Sequence, residues 1–211
     1  LIDRFDGLEA ARKFLFAHAH LDRVRMELID RCIKAGELEE AMRQIQTGIA
    51  SSNQRHVWGL TNQYQALRVK LLQQTGDKTG VIEGARALWL DRGAEEDFEL
   101  LHSMVPSAEW LAFVEELVKA TRRPEQLAWL YARENRWDDL LTLVKTDRQG
   151  DWLIDPYRAQ LESRFPADVA ELYEKIVGEI LLSANGRGGY KQAVAYLRQM
   201  KQIGQAARAE A

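Results

Sequence analysis

Cysteine is almost absent from the chain, which has a single one, Cys32, among its 211 residues. One cysteine cannot form an intramolecular disulfide, and it cannot supply the several thiolates of a structural zinc site. Chains without disulfides are typical of reducing compartments, so this composition predicts a cytoplasmic protein.

Long apolar runs are also missing, because Asp, Glu, Lys or Arg recurs at short intervals between Asp3 and Glu210. A membrane-spanning helix needs about 18 or more consecutive apolar residues, so we expect no membrane segment. Asp3, Asp6 and Glu9 interrupt the first residues, unlike the basic start and apolar middle of a secretion signal. The chain begins with Leu1, which is not a usual start residue, and we therefore expect a piece of a longer protein.

Neither sign of charge dominates, since 29 basic side chains stand against 32 acidic ones, for a net charge of -3. Binding to nucleic acid depends on neutralising phosphates with a surplus of Lys and Arg, so this balance argues against a dedicated nucleic-acid binder. The apolar share of 46%, with only 4 Pro and 14 Gly, excludes disordered, collagen-like and fibrous chains. We therefore expect a globular protein with a sizeable core.

Apolar residues follow a helical period along most of the chain. Members of each stripe are separated by three or four residues, as on one face of an α-helix, and no segment alternates like a strand. The clearest stripes are Val169, Leu172, Tyr173, Ile176, Val177, Ile180 and Leu181, and Tyr190, Ala193, Val194, Leu197 and Met200. The pattern predicts an all-α fold of roughly eleven helices, with most Trp and Tyr side chains in the core.

Proline and glycine mark the expected helix ends. Pro suits the first turn of a helix, where its missing N–H is not needed, and Asp155 before Pro156 predicts a helix N-cap. Pro124, Pro156 and Pro166 stand where new stripes begin. Glycines that can end a helix in a left-handed conformation are Gly36, Gly76, Gly93 and Gly150. Because the turns are short, the pattern predicts one continuous domain over residues 1–211.

The turn sequences indicate an internal repeat. Ala35–Ala41 and Glu134–Leu140 both place Gly or Asn, a spacer and a large apolar residue before two acids, and Gly189–Ala193 is a shorter version. These turns resemble the inter-helix turn of tetratricopeptide repeats. The resemblance implies an α-solenoid of about five antiparallel helical pairs. Turns spaced by about 24 to 40 residues, instead of a fixed 34, imply an irregular repeat length.

Several strings resemble reactive motifs but are better explained as turns or core residues. His18–Asp22 resembles the His-x-His-x-Asp of metallo-β-lactamase-type hydrolases, yet no strand precedes it and only His56 and His102 remain to complete a site. Thr75–Gly80 lacks the first glycine of a phosphate loop and fits a helix end. Cys32 lies on an apolar stripe and fits a small buried side chain. We therefore predict no enzyme activity and no catalytic, cofactor or metal site.

A longer likeness begins near Leu161. Its residues are Arg164, Phe165 and Pro166, then Val169, Tyr173 and Val177, then Asn185, Tyr190, Ala193 and Leu197. The segment resembles the C-terminal helical region of bacterial SWIM zinc-finger proteins. The Cys-x-Cys and Cys-x-His zinc ligands of that family are missing here. The resemblance therefore implies the helical remainder of such a protein, in a part that binds other macromolecules.

These observations favour a non-catalytic helical-repeat scaffold that binds a protein or peptide through the first helix of each pair. We predict partner contacts at polar positions of those helices, from Asn62 with Gln65 and from Arg158 with Glu162. The alternative is an accessory nucleic-acid module of the SWIM type that acts through the basic C-terminal end. Its contacts would come from Arg187, Lys191 and Arg198. Nucleic acid is the less favoured partner for this segment alone.

Overall fold

All regular secondary structure in the described part of the chain is helical. The computed structural model describes residues 7–147, 150–183 and 187–204, and no strand occurs within these ranges. The all-α prediction from the apolar periodicity is therefore confirmed. None of the helices in these ranges is both long enough and apolar enough to cross a bilayer.

Short turns separate the helices, which are numbered here in chain order. The first seven are α1 (Gly7–Ala17), α2 (Asp22–Lys34), α3 (Leu38–Gln54), α4 (Trp58–Thr75), α5 (Lys78–Arg92), α6 (Glu95–Met104) and α7 (Ser107–Ala120). The next are α8 (Pro124–Arg133), α9 (Trp137–Thr146), α10 (Gly150–Leu153), α11 (Arg158–Arg164), α12 (Pro166–Ser183) and α13 (Arg187–Gln202), with a 3-10 turn at Asp155–Tyr157. The most closely packed pairs are consecutive in sequence, such as α3 with α4 and α12 with α13.

The chain divides into two compact units, which we call unit 1 (Leu1–Leu117) and unit 2 (Val118–Ala211). Unit 1 buries one apolar cluster contributed by α1 to α4 and a second one centred on α4 and α5. Unit 2 buries a larger cluster that draws on α8 to α13. A single helical-repeat domain over residues 1–211 stays a prediction.

One turn geometry recurs along the chain. Residues with positive φ follow α2, α3, α4 and α8: Gly36 (76°), His56 (56°), Gly76 (75°) and Asn135 (57°). After each of them, the next N–H donates to the carbonyl five residues earlier, as from Glu37 to Cys32. This Schellman arrangement satisfies carbonyl groups that the end of a helix leaves without a partner. The left-handed glycines and Asn135 were expected from sequence, whereas His56 was not.

Three turns of unit 1 are evenly spaced. Gly36, His56 and Gly76 lie twenty residues apart, and the two helices between them are of nearly equal length, with 17 residues in α3 and 18 in α4. The sequence pattern missed the middle turn because histidine stands where a glycine is expected. Gly93 ends α5 with a positive φ of 67°, as predicted. Gly150, in contrast, is the first residue of α10.

Glycine allows α3 and α4 to approach each other closely. Gly48 on α3 faces the ring of Tyr64 on α4, and a Cβ atom at Gly48 would lie 2.5 Å from atoms of that ring. The contact between α5 and α4 is similar, since a Cβ atom at Gly84 would lie 2.6 Å from Cγ2 of Val69. The Tyr64 side chain is fully buried. A larger residue at position 48 must therefore displace the ring or separate the helices.

Two of the three expected proline starts are found in unit 2. Pro124 and Pro166 are the first residues of α8 and α12. Pro156 instead lies in the 3-10 turn, and α11 begins after it, at Arg158. The predicted N-cap at Asp155 is therefore wrong: its carboxylate accepts a hydrogen bond from the Arg158 guanidinium instead of capping a helix.

Aromatic side chains mostly fill the cores, and Trp89 and Tyr173 are completely buried. The core assignment fails for Trp58, Trp152 and Tyr190, which are 61%, 45% and 59% exposed. Trp58 and Tyr190 lie in the first turns of α4 and α13, and Trp152 lies in the four-residue helix α10. A helix end has fewer neighbours to cover it than the middle of a helix, so a stripe residue there stays accessible.

Candidate functional site

Two of the predicted contact residues, Asn62 and Gln65, lie three residues apart on α4 in unit 1. The Asn62 amide Nδ2 donates a hydrogen bond to Oδ2 of Asp91 over 2.6 Å, which ties α4 to the end of α5. Gln65 is half-buried. Asn62 therefore already supports the packing of unit 1, and contact of this pair with a partner stays a prediction.

The other predicted pair, Arg158 and Glu162, lies on α11 in unit 2 and surrounds the hydroxyl group of Tyr173. Tyr173 donates a hydrogen bond to Oε1 of Glu162 over 2.7 Å and accepts one from Arg158 over 3.3 Å. Gln199 on α13 donates to the second carboxylate oxygen of Glu162 over 3.2 Å. The Arg158 guanidinium also lies 5.6 Å and 5.7 Å from the ring centroids of Tyr173 and Tyr196.

This polar cluster links three helices inside unit 2. Burial raises the pKa of Tyr173 well above its usual value of 10, and the hydrogen bond to Glu162 raises it further, while Arg158 lowers it. The phenol therefore stays protonated and donates to Glu162 at any physiological pH. The sequence pattern pairs Arg158 with Glu162 but does not indicate Tyr173 as their common partner, because a residue in an apolar stripe is expected only to fill the core.

The predicted basic end is present on α13. Lys191 and Arg198 are exposed on this helix. Arg187 is its first residue, but the Arg187 side chain lies outside the described part of the structure. Lys191 and Arg198 are seven residues apart, so they lie on the same face of α13.

Three neighbouring cavities surround the turn between α2 and α3 in unit 1, and together we call them the turn groove. Their volumes are about 450, 350 and 490 Å³. Glu37 lines both the first and the third cavity, and Leu38, Glu39 and Arg43 line both the second and the third. The first cavity begins at α1 and the second reaches α4 at Leu71.

The turn groove combines an apolar floor with a charged rim. Leu15, Leu28 and Leu71 are buried at its base. On the rim, the Arg12 guanidinium donates two hydrogen bonds to the Glu37 carboxylate, over 2.5 and 2.8 Å. These bonds hold the pKa of Glu37 below its usual value. The groove therefore offers both signs of charge beside buried apolar side chains.

Cys32 lines the first cavity of the turn groove and is 3% exposed. Burial raises the pKa of its thiol, and the nearby Glu37 and Glu40 carboxylates raise it further. A buried, protonated thiol is a poor nucleophile, since the thiolate is the reactive form. The sequence-based assignment of Cys32 as a small buried side chain is confirmed.

The segment His18–Asp22, which resembles a metal-binding motif, begins in the turn between α1 and α2. Asp22 is the first residue of α2, and its carboxylate accepts two hydrogen bonds from Arg55, over 2.9 and 2.8 Å. The expected polar turn is confirmed. Within the described ranges, no group of three or more His, Cys, Asp or Glu side chains is arranged to hold a metal ion.

Comparison with known proteins identifies no relative. No family model matches the chain, and no curated protein or solved structure matches it either. The resemblances to tetratricopeptide repeats and to SWIM zinc-finger proteins stay predictions.

Proposed function

We propose that this chain is a non-catalytic scaffold that binds a peptide segment of a partner protein in the turn groove of unit 1. The observation that carries this proposal is that three neighbouring cavities around one turn share lining residues. Each cavity falls within the range of about 300–1,000 Å³ that is usual for a small-molecule cleft, so their arrangement, and not their volume, favours a peptide. A row of neighbouring cavities suits successive side chains of one peptide.

The chemistry of the groove supports the same partner. Its buried leucines can receive apolar side chains, which contribute most of the affinity in peptide recognition. Glu39 and Arg43 are exposed on the rim, four residues apart on α3, and carry opposite charges. Charges of both signs beside an apolar floor favour one orientation of a bound peptide over its reverse.

The recurring turn supports an α-solenoid of the tetratricopeptide-like type as the architecture of this scaffold. The Schellman turns after α2, α3 and α4 repeat with the same hydrogen bonds and the same spacing. Repeats of this kind bury each helical pair against its neighbours and present extended binding surfaces. We also propose a reducing, cytoplasmic location, because the one cysteine is a buried free thiol.

A charge exchange on the groove rim tests the proposal. Random peptides displayed on phage are selected against the chain, and the affinity of a selected peptide is measured for the chain and for a Glu39→Arg/Arg43→Glu variant. We expect the exchange to weaken binding at least about tenfold, because it places like charges opposite those of the peptide. The melting temperature should change little, because both side chains are exposed.

The matched control is Lys175→Glu/Glu179→Lys, an exchange of the same i,i+4 type on α12 in unit 2. This control should retain full peptide affinity. Equal affinity for the chain and the rim variant, or failure to select any peptide, would contradict peptide binding in the turn groove.

A further inference from the structure

Helix α13 presents an unexpected surface to solvent. Its periodicity predicts Tyr190 and Val194 in the buried stripe, but they are 59% and 44% exposed. The residues that α13 buries are Ala193, Tyr196 and Met200. Because each residue advances a helix by about 100°, Tyr190 and Val194 belong to a neighbouring face of α13.

Lys191 and Arg198 lie beside these two apolar side chains, on the side that faces away from the buried residues of α13. We call the four residues Tyr190, Lys191, Val194 and Arg198 the α13 face. Positions 190, 194 and 198 follow each other at i, i+4 and i+8, and position 191 adjoins 190 and 194. All four side chains are exposed. The face therefore combines an apolar strip with two positive charges.

The last turn of α12, the helix that packs along α13, also exposes apolar side chains. Leu181 is 49% exposed and Leu182 is 92% exposed. The two helices pack along each other, and three residues connect them. Single exposed apolar residues are ordinary, but their concentration at the end of one helical hairpin is typical of an interaction surface.

Neither Lys191 nor Arg198 has a carboxylate partner among the residues that the structure describes. The ion pairs described in unit 2 include those of Arg136, Lys145, Arg158 and Lys175. The two charges of the α13 face are therefore available to an acidic partner.

The aliphatic residues distinguish between two kinds of acidic partner. Nucleic acid is bound by many cations on phosphates and by aromatic rings stacked on bases. Tyr190 could stack on a base, but Leu181, Leu182 and Val194 can neither stack nor bind phosphate. An amphipathic helix with acidic flanks satisfies both halves of the surface, because its apolar stripe covers the aliphatic residues and its carboxylates face the cations.

We propose that the α13 face docks an acidic amphipathic helix of a partner protein. In this arrangement, apolar residues at i and i+4 of the partner cover Tyr190 and Val194. Asp or Glu residues beside that stripe pair with Lys191 and Arg198. This site lies in unit 2 and does not involve the turn groove, so the two binding proposals are tested separately.

Fluorescence anisotropy with two designed peptides tests the docking site. The acidic probe is a labelled helix of about 18 residues, or five turns, with Leu at i, i+4, i+7 and i+11 and Glu beside them. The second probe carries Lys in place of Glu. A labelled single-stranded RNA oligonucleotide of similar length is titrated in parallel. Each probe is titrated with the chain and with a Lys191→Glu/Arg198→Glu variant.

We expect the chain to bind the acidic peptide more tightly than the other two probes. The double charge reversal should weaken this binding at least about tenfold and should make the Lys peptide the better ligand. A Val194→Asp variant should also lose affinity for the acidic peptide, because it places an exposed charge within the apolar strip.

The matched control, Lys119→Glu/Arg122→Glu, makes the same change in net charge at exposed positions outside the α13 face. It should change affinity by less than about twofold if the effect is local rather than long-range. Equal loss in the control would overturn the proposal. Preference for the oligonucleotide would overturn it in favour of nucleic-acid binding, and no binding of the acidic peptide would overturn it outright. If only the test of peptide binding in the turn groove fails, the expected results of these titrations stay the same.

Discussion

The two units of this chain are stabilised in different ways. In unit 1, one Schellman turn recurs every twenty residues between Gly36 and Gly76, and glycines bring neighbouring helices into close contact. In unit 2 the helices are less uniform, with 4 residues in α10, 7 in α11 and 18 in α12. A polar cluster around Tyr173 joins three of these helices.

This difference shows two ways to specify helix packing. Where a repeated turn sets the direction of each helix, small residues such as Gly48 allow close packing, and polar contacts such as that of Tyr64 with Asp22 add to it. Where helix lengths vary, several arrangements of the helices would bury similar apolar surface. Buried side chains with directional hydrogen bonds then select one of these arrangements. We therefore expect unit 1 to be most sensitive to added volume and unit 2 to be most sensitive to lost polar partners.

The largest expected effect is that of Gly48→Ala in unit 1. The added Cβ atom would meet the fully buried Tyr64 ring at 2.5 Å. Overpacking of this kind costs about 2–3 kcal/mol of unfolding free energy, which urea unfolding followed by circular dichroism can measure. Gly59→Ala on α4 is the matched control, because nothing lies within 4 Å of its Cβ position. This control should raise the unfolding free energy of the chain by about 0.5–1 kcal/mol. Equal effects of the two substitutions would contradict the close approach of α3 and α4.

The next effect is that of Tyr173→Phe in unit 2. This substitution removes the hydroxyl group that bonds Glu162 and Arg158 but keeps the buried ring. Leaving these charged groups without their buried hydroxyl partner should lower the unfolding free energy by about 1–2 kcal/mol. The same urea unfolding measures this loss. The control, Tyr190→Phe, removes a hydroxyl group from a side chain that is 59% exposed and should change stability little. If both variants are as stable as the original chain, the polar cluster does not stabilise unit 2.

A smaller effect is expected only at alkaline pH. Burial, and then the nearby Asp22, raise the pKa of Tyr64 to about 12. In the unfolded chain this phenol ionises near pH 10, so above that pH unfolding releases a proton and stability falls. The stability contributed by Tyr64 is complete below pH 10 and declines as the pH rises to about 12. A Tyr64→Phe variant should therefore show a flatter decline of unfolding free energy over this range. Parallel declines in the two proteins would exclude an elevated pKa.

The smallest expected effect is that of placing glycine at the left-handed positions His56 in unit 1 and Asn135 in unit 2. His56 has a φ of 56°, and its Cβ atom makes this conformation costly, whereas Asn135 at 57° is of a type that tolerates it. Since glycine also gives the unfolded chain more freedom, His56→Gly should stabilise unit 1 by only about 0.5 kcal/mol. Asn135→Gly should stabilise unit 2 less, as judged by urea midpoints. A larger gain in stability from glycine at position 135 than at position 56 would mean that the residue type does not determine the cost of the left-handed conformation.

Local features of the sequence predicted much of the helical structure. The stripe from Val169 to Val177 is buried on α12, and Pro124 and Pro166 begin helices. Left-handed residues were predicted at Gly36, Gly76, Gly93 and Asn135 and are found there. Each of these features depends on backbone preference or on the period of one helix, so the residues nearby are sufficient to determine it.

The candidate sites were less predictable. Arg158 and Glu162 look like a free polar pair on a helix surface, yet Tyr173 from another helix lies between them. The turn groove could not be located from sequence, because α1, α2, α3 and α4 all contribute to it. Side chains from separate helices meet only after the helices have packed, and a pattern within one helix does not encode that meeting.

The amino-acid sequence by itself determined that this chain is helical, where several helices begin or end, and where most of its apolar stripes lie. Tertiary structure decided which apolar residues are covered. Trp58 and Tyr190 have the same apolar character as Tyr64 and Tyr173, but the first two are exposed and the last two are fully buried. Burial depends on whether a neighbouring helix reaches a given turn, and that depends on helix lengths and turn directions summed along the whole unit.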